Sequence, residues 1–314
     1  MGLSVVVFFP LISALLITLI PKAQEQLIKG FALGSSLITF VLSAVLLFQF
    51  DFSSADKLQL GNKVSWIKSI NANYEIGIDG ISLPLLVLST FITVLAIIYS
   101  IEHLPEPKSP KGFLALILVL ETGMNGTFVA LDLILFFVFF EIVLLPMYFM
   151  IGIWGDKTVR TVSGLKNQIE TRLYASIKFF VFTLFGSAFM LLGFLGLDYR
   201  GNKTFSIPEL IELGSSGAFT GTFATLVFAV LFLGFAVKVP MWPLHTWLPD
   251  AHTAAPTVGS VLLAAILLKL GSYGFVRIAI PILPEQAKAW APAIAILSAI
   301  GIIYGSLALS LIHI

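Results

Sequence analysis

Apolar residues run along this chain in long blocks rather than at the spacing of a half-buried helix or strand. Blocks of about 20 residues, the length a helix needs to cross a bilayer, fall near 2–20, 28–50, 78–101, 112–130, 132–154, 174–197, 221–243, 257–280 and 291–311. The pattern predicts an all-α, polytopic transmembrane helix bundle of about nine spans. Its longest connections, 51–77, 155–173 and 198–220, are too short for a separate soluble domain. The first block lacks a basic leader and a small-residue cleavage site and ends at Pro21-Lys22, so it reads as a retained span. The basic stretch 157–173 predicts a short helix lying along the surface.

Composition sharpens this picture. Hydrophobic residues make up 58% and charged residues 11% of the 314 residues, against about a quarter charged in soluble domains. A net charge of +1 offers no nucleic-acid signal, and the absence of cysteine excludes disulfides and thiolate-held metal centres. Basic residues in alternate connections set orientation. One set holds Lys22, Lys29, Lys108, Lys111, Lys157, Arg160, Lys166 and Arg172; the other holds Lys57, Lys63, Lys68, Arg200, Lys203 and Lys288. The lean places the N-terminus outside.

Charges inside the blocks carry the candidate chemistry. In FVFFEIVLLPMYFMIGIWG, residues 137–155, Glu141 is a lone carboxylate among apolar neighbours. Such a group costs roughly 2.5–3.5 kcal/mol at a helix centre on insertion scales. Glu141 and Lys269 each lie roughly ten residues, about 15 Å of helix, from either end of their span, so they must face protein or water. Glu121 is also central, but Thr122, Gly123 and Asn125 follow it and offer a local polar stripe. Lys178 lies about one turn inside its span, where its stem reaches the headgroups; anchoring and transport both stay open for it. Asp132 and Arg277 read as interfacial anchors.

Lys238 opens KVPMWPLHTWLPDAHTAAPTVGS, in which Pro240, Pro243, Pro249 and Pro256 each lack an amide hydrogen. A discontinuous seventh helix follows, with a carbonyl freed near residue 236. Irregular backbone at membrane depth survives only where protein or a wet cavity surrounds it, and broken, charged spans are the usual form of ion-transport sites. Pro146 should loosen the turn after Glu141 in the same way. The expected countercharge of Glu141 is Lys238.

The stretches ETGMNGTFVALDLILFFVFFEIVLLPMYFMIGIWG (121–155) and KVPMWPLHTWLPDAHTAAPTVGSVLLAAILLKLGSYGFVRI (238–278), with IGIDGISLPLLVLSTFI (76–92) and ASIKFF (175–180), resemble the antiporter-like chain M family of bacterial proton-translocating NADH:quinone oxidoreductase, respiratory complex I. The resemblance implies an antiporter-like inverted-repeat fold of about fourteen spans, each five-helix repeat forming a half-channel. It gives three segments here: 1–111, an N-terminal three-helix segment; 112–280, the first half-channel repeat; and 281–314, the start of a second repeat that reads as truncated.

It also implies proton transfer and charge coupling by Glu141, Lys238, Lys269 and Lys178. No cofactor is expected in this chain, with NADH, FMN, iron–sulfur clusters and quinone in partner subunits. Expected partners are the other membrane subunits, neighbouring antiporter-like chains among them, and the lipid bilayer, with no nucleic acid, in a bacterial inner membrane. The nearest alternative is an Mrp-type monovalent cation/proton antiporter subunit. A membrane cytochrome needs axial ligands inside helices, whereas His103, His245, His252 and His313 fall in connections or at ends. A structural anchor without transport remains the third reading, and it predicts that the buried charges are replaceable by apolar residues of similar volume.

Overall fold

In lipid every backbone polar group must find its partner inside the chain, which leaves the helix as the natural form of each apolar block. The computed structural model describes residues 2–161 and 168–312, with side chains over 2–159 and 168–307. His313 and residues 162–167, Lys166 included, lie outside the described residues. Among the described residues nine helical runs are long and apolar enough to cross a membrane. The first four are α1 (Gly2–Leu19), α2 (Glu25–Gln49), α3 (Ser82–Glu102) and α4 (Pro110–Val129). Span five consists of α5 (Leu133–Ile142) and α6 (Leu144–Trp154), and span six is α7 (Thr171–Arg200). A short amphipathic helix, α8 (Ile207–Ser215), precedes α9 (Gly221–Lys238) of span seven, which α10 (Trp247–Ala254) continues. Span eight comprises α11 (Thr257–Leu262), α12 (Leu268–Gly274) and α13 (Ile280–Ile282), joined by two π-helical turns. Span nine, within α14 (Pro284–Ile312), runs along one flank with its apolar window unburied.

Small side chains allow close helix approach. Where α7 meets α9, a Cβ on Gly234 would lie 2.9 Å from the Gly186 carbonyl oxygen, so the two backbones touch as only small residues allow.

The connections hold two hairpins that helical periodicity could not foretell. Strand β1 (Gln59–Ile67) pairs antiparallel with β2 (Ala72–Ile78) through a turn with Asn71 at φ 55°. This hairpin is fastened to the bundle by Leu131 N–H donating to Glu75 O (2.8 Å), and Lys63 joins Glu75 to Glu209 of α8 at 3.2 and 2.7 Å. At the opposite end, β3 (Val159–Thr161) pairs with β4 (Gln168–Glu170). The surface helix expected over 157–173 is therefore corrected at both ends of that stretch. The β-branched Thr158, Val159 and Thr161 favour extended backbone, and the Thr171 N–H and hydroxyl both close on Thr158 O at 2.8 Å.

Candidate functional site: charges at the broken helices

Span five carries its carboxylate at a break. Asp132 caps α5 by accepting from Ile134 N–H (2.9 Å) and Leu135 N–H (3.1 Å). Burial pushes this carboxyl up from its ordinary range, against the pull of backbone donors from Asn73, Leu135 and Ile134. Fourteen residues on, Pro146 has no N–H for the Ile142 carbonyl, and regular helix stops at Val143. Glu141 sits in the last turn before that stop, half-buried, with Ser187 of α7 near its carboxylate.

Span seven breaks where the prolines cluster. Lys238, 3% exposed, is the last residue of α9, and helix resumes only at Trp247. The carbonyls that the break releases find donors: Met241 N–H donates to Ala236 O at 2.9 Å, and the Trp247 indole N–H to Val237 O at 2.9 Å. Those two carbonyls are thus satisfied by the chain's own donors, as buried backbone requires.

The break aims Lys238 at span five. Its Nζ lies 4.9 Å from the centroid of the Phe140 ring, and it and Glu141 attract each other electrostatically. Among the described residues no contact ion pair joins the two. Glu141 and Lys238 therefore share a field without sharing a hydrogen bond, and a low local dielectric lets that field act across the gap.

The remaining candidates fall in two places. Lys178, two turns into α7, forms an ion pair with Asp250 of α10 at 2.7 Å, with the Tyr174 ring 5.6 Å from its ammonium. Sequence reasoning passed over Asp250; the signal was a carboxylate within the proline-broken stretch, in reach of a lysine otherwise without an acid. Lys269 lies on the exposed face of span eight, and its ammonium donates to the Ala264 carbonyl within the π-helical turn Leu263–Leu267. A π turn frees a carbonyl from the helical ladder, and here the lysine takes it.

The two expected anchors are fixed by definite partners. Arg277 Nη2 meets Asp79 Oδ2 at 2.6 Å, and Arg277 Nε donates to the Tyr273 hydroxyl at 3.0 Å, which in turn donates to Phe128 O at 2.8 Å. Burial disfavours the Asp79 anion, but Arg277 and the N–H groups of Ser82 and Ile81 outweigh it and hold this carboxyl below its ordinary range. Glu121 differs from what its polar neighbours suggested. Thr122 donates to Leu118 O, and Asn125 is engaged by Ser89 and Val6, so the stripe serves other partners. Among the described residues, no group of three or more His, Cys, Asp or Glu side chains gathers in a way that would hold a metal.

Comparison with known proteins places the chain. Residues 130–311 match the family described as NADH:quinone oxidoreductase/Mrp antiporter, TM, and residues 5–127 match NADH-ubiquinone oxidoreductase chain 4, amino terminus. The chain is similar to NADH-quinone oxidoreductase subunit M of Rickettsia bellii (strain RML369-C), 40% identical over 97% of this chain and 59% of the relative. It therefore spans little more than half the length of the curated relatives it matches. Among solved structures it is similar to a chain of respiratory complex I from Thermus thermophilus with bound NADH (TM-score 0.78, 26% identity, 96% of this chain and 57% of that one). It also shares the fold, at 19% identity, of a chain in the Mrp complex from Dietzia sp. DQ12-45-1b (TM-score 0.70, 91% of this chain, 29% of that one). Both the sequence match over more than half its length and the helical architecture assign the chain, a multi-pass membrane protein, to the NADH:quinone oxidoreductase/Mrp antiporter transmembrane family.

Proposed function

We propose that the chain is the proton-translocating subunit M of a NADH:quinone oxidoreductase in a bacterial inner membrane, with its N-terminus on the periplasmic side. Neighbouring antiporter-like subunits are its partners, and NADH oxidation and quinone reduction belong to other subunits. Residues 112–280 form the half-channel, 1–111 buttress it, and 281–314 begin the second repeat. The observation that carries this reading is the separated Glu141–Lys238 pair at the junction of two interrupted helices. Lowering the distance between the two charges, or raising it, changes how tightly Lys238 holds its proton, because each partner favours the charged form of the other. A proton released from Lys238 has Lys269 as its onward acceptor in span eight, while the Lys178–Asp250 pair braces α10 behind it.

The test is Glu141→Gln in the assembled complex, read as the proton gradient built during NADH oxidation in sealed membranes. The gradient should fall at least tenfold with the complex intact, and wild-type pumping would sink the proposal. The family description also covers Mrp antiporters; a sodium-for-proton exchange that persists without NADH would favour that reading.

A further inference from the structure

Glu121 is the one candidate charge that the site leaves unused, and its surroundings say what it does. Its side chain has no exposure, and neither carboxyl oxygen meets a protein hydrogen-bond partner. Buried polar groups are satisfied in the great majority of cases, so an orphaned carboxyl in the interior of a bundle points to a small polar ligand.

The helix places it. Glu121, Asn125 and Phe128 lie four and three residues apart on one stripe of α4. Asn125 accepts from Ser89 of α3 at 2.9 Å, and Phe128 packs edge-on against Tyr273 of span eight, with ring centroids 5.3 Å apart. The stripe therefore looks into the seam between α3 and span eight. Both α4 and span eight start at the same end of the bundle, because the Trp154 indole donates to Pro107 O and Asp156 N–H to Ala254 O, each at 2.9 Å. From the Phe128–Tyr273 level, seven residues back along each helix reach Glu121 on α4 and Ile266 on span eight, inside the π turn Leu263–Leu267. On α3, one turn from Ser89, the fully buried Thr93 completes the level.

Ionisable groups near this seam are few. Of the elements packed on α4, α1 has none; α2 carries Glu25 and Lys29, and α3 Tyr99 and Glu102, all toward the far end. Strand β2 carries Tyr74 and Glu75 at the other end, α6 carries Tyr148, and α12 carries Lys269 and Tyr273. Glu141 belongs to α5, which packs on the opposite face of α4, where Gly126 meets the Phe139 ring. No cation makes contact with Glu121 among the described residues.

We propose that Glu121, Thr93 and the π turn of span eight form a buried water-binding site in which Glu121 is a neutral carboxylic acid, a second proton-holding group separate from the Glu141–Lys238 pair. An isolated carboxylate without a donor is far costlier to bury than the acid. The acid has one O–H to donate, the Thr93 hydroxyl accepts while it donates to Ser89 O, and the carbonyls of the π turn other than Ala264, which Lys269 takes, each keep a second lone pair for water. Internal water with two to four such partners fits a seam of this kind.

The experiment is infrared difference spectroscopy of the full complex against its Glu121→Gln form, in H2O and D2O. The carbonyl stretch of one protonated carboxylic acid should be present in the wild type, missing in the variant, and shifted in D2O because water reaches it. Loss of an ionised-carboxylate band instead, or a carbonyl band indifferent to D2O, overturns the proposal. If Glu121→Gln does not assemble, Glu121→Asp keeps the acid one methylene shorter, and the carbonyl band must move; an unmoved band overturns the assignment equally. Pumping is not the readout, so failure here leaves the Glu141–Lys238 reading standing, and failure of that reading leaves this one.

Discussion

Two of the opposite-charge pairs in this bundle are built differently. Arg277 and Asp79 touch at 2.6 Å, with the Tyr273 hydroxyl accepting from Arg277 Nε and the N–H groups of Ser82 and Ile81 donating to Asp79. Glu141 and Lys238 attract without touching, one at the end of α5 and the other at the end of α9. A satisfied contact pair locks helix to helix, since any movement leaves a buried charge alone. A separated pair beside two helix breaks has room to close and open. On this difference rests the proposal that the first pair holds and the second switches.

The comparison can be strained from both sides. The largest expected effect is on transport: Lys269→Met should leave the complex assembled, because among the described residues its ammonium meets only an Ala264 carbonyl of its own helix, yet the gradient built during NADH oxidation should be lost. Normal pumping by that variant would make Lys269 a hydration residue and shorten the proposed relay. Next comes stability. Arg277→Met leaves Asp79 uncompensated and should destabilise the protein by roughly 3 kcal/mol, in line with broken buried pairs, measured as a lowered midpoint of thermal inactivation; the complex that does assemble should still pump. Asp250→Asn, in a pair with side chains 21% and 20% exposed, should cost about 1 kcal/mol or less and slow pumping without stopping it.

The smallest effect is one of pH. Asp79 has its carboxyl held below 3.8 in the folded chain, so its stabilising contribution is complete above that value and fades as pH falls through the lower folded value. Thermal inactivation of the solubilised complex should show an acid-sensitive component below pH 3.8 that Arg277→Met diminishes. An unchanged component would mean that another group carries it.

How much of this was legible in the sequence follows from what sequence periodicity can encode. Apolar runs announce helices in lipid, so the nine spans matched blocks read directly from the chain. Prolines announce breaks, so the interruptions after Glu141 and Lys238 were visible too. The hairpin Gln59–Ile67 with Ala72–Ile78 was not, because its exposed first strand has no regular alternation. The π turns of span eight left no mark, since leucine and alanine serve an α-helix equally well. Pairings between distant elements were only half legible. Lys238 was expected as the countercharge of Glu141 from its place at the proline-broken helix, whereas Asp250 went unnoticed as the partner of Lys178, 72 residues away. The satisfaction expected for Glu121 failed for a similar reason: Thr122 and Asn125 lie nearby in sequence but face their own partners.

The central claim is that Lys238 works by gaining and losing a proton under the influence of Glu141, and Lys238→Arg tests it most directly. Guanidinium keeps the positive charge and the attraction to Glu141 but does not release its proton. In sealed membranes with matched rates of NADH oxidation, the account predicts an assembled Lys238→Arg complex whose proton gradient falls severalfold below wild type. Equal gradients in the Arg and Lys forms would contradict it and leave Glu141–Lys238 a static electrostatic pair.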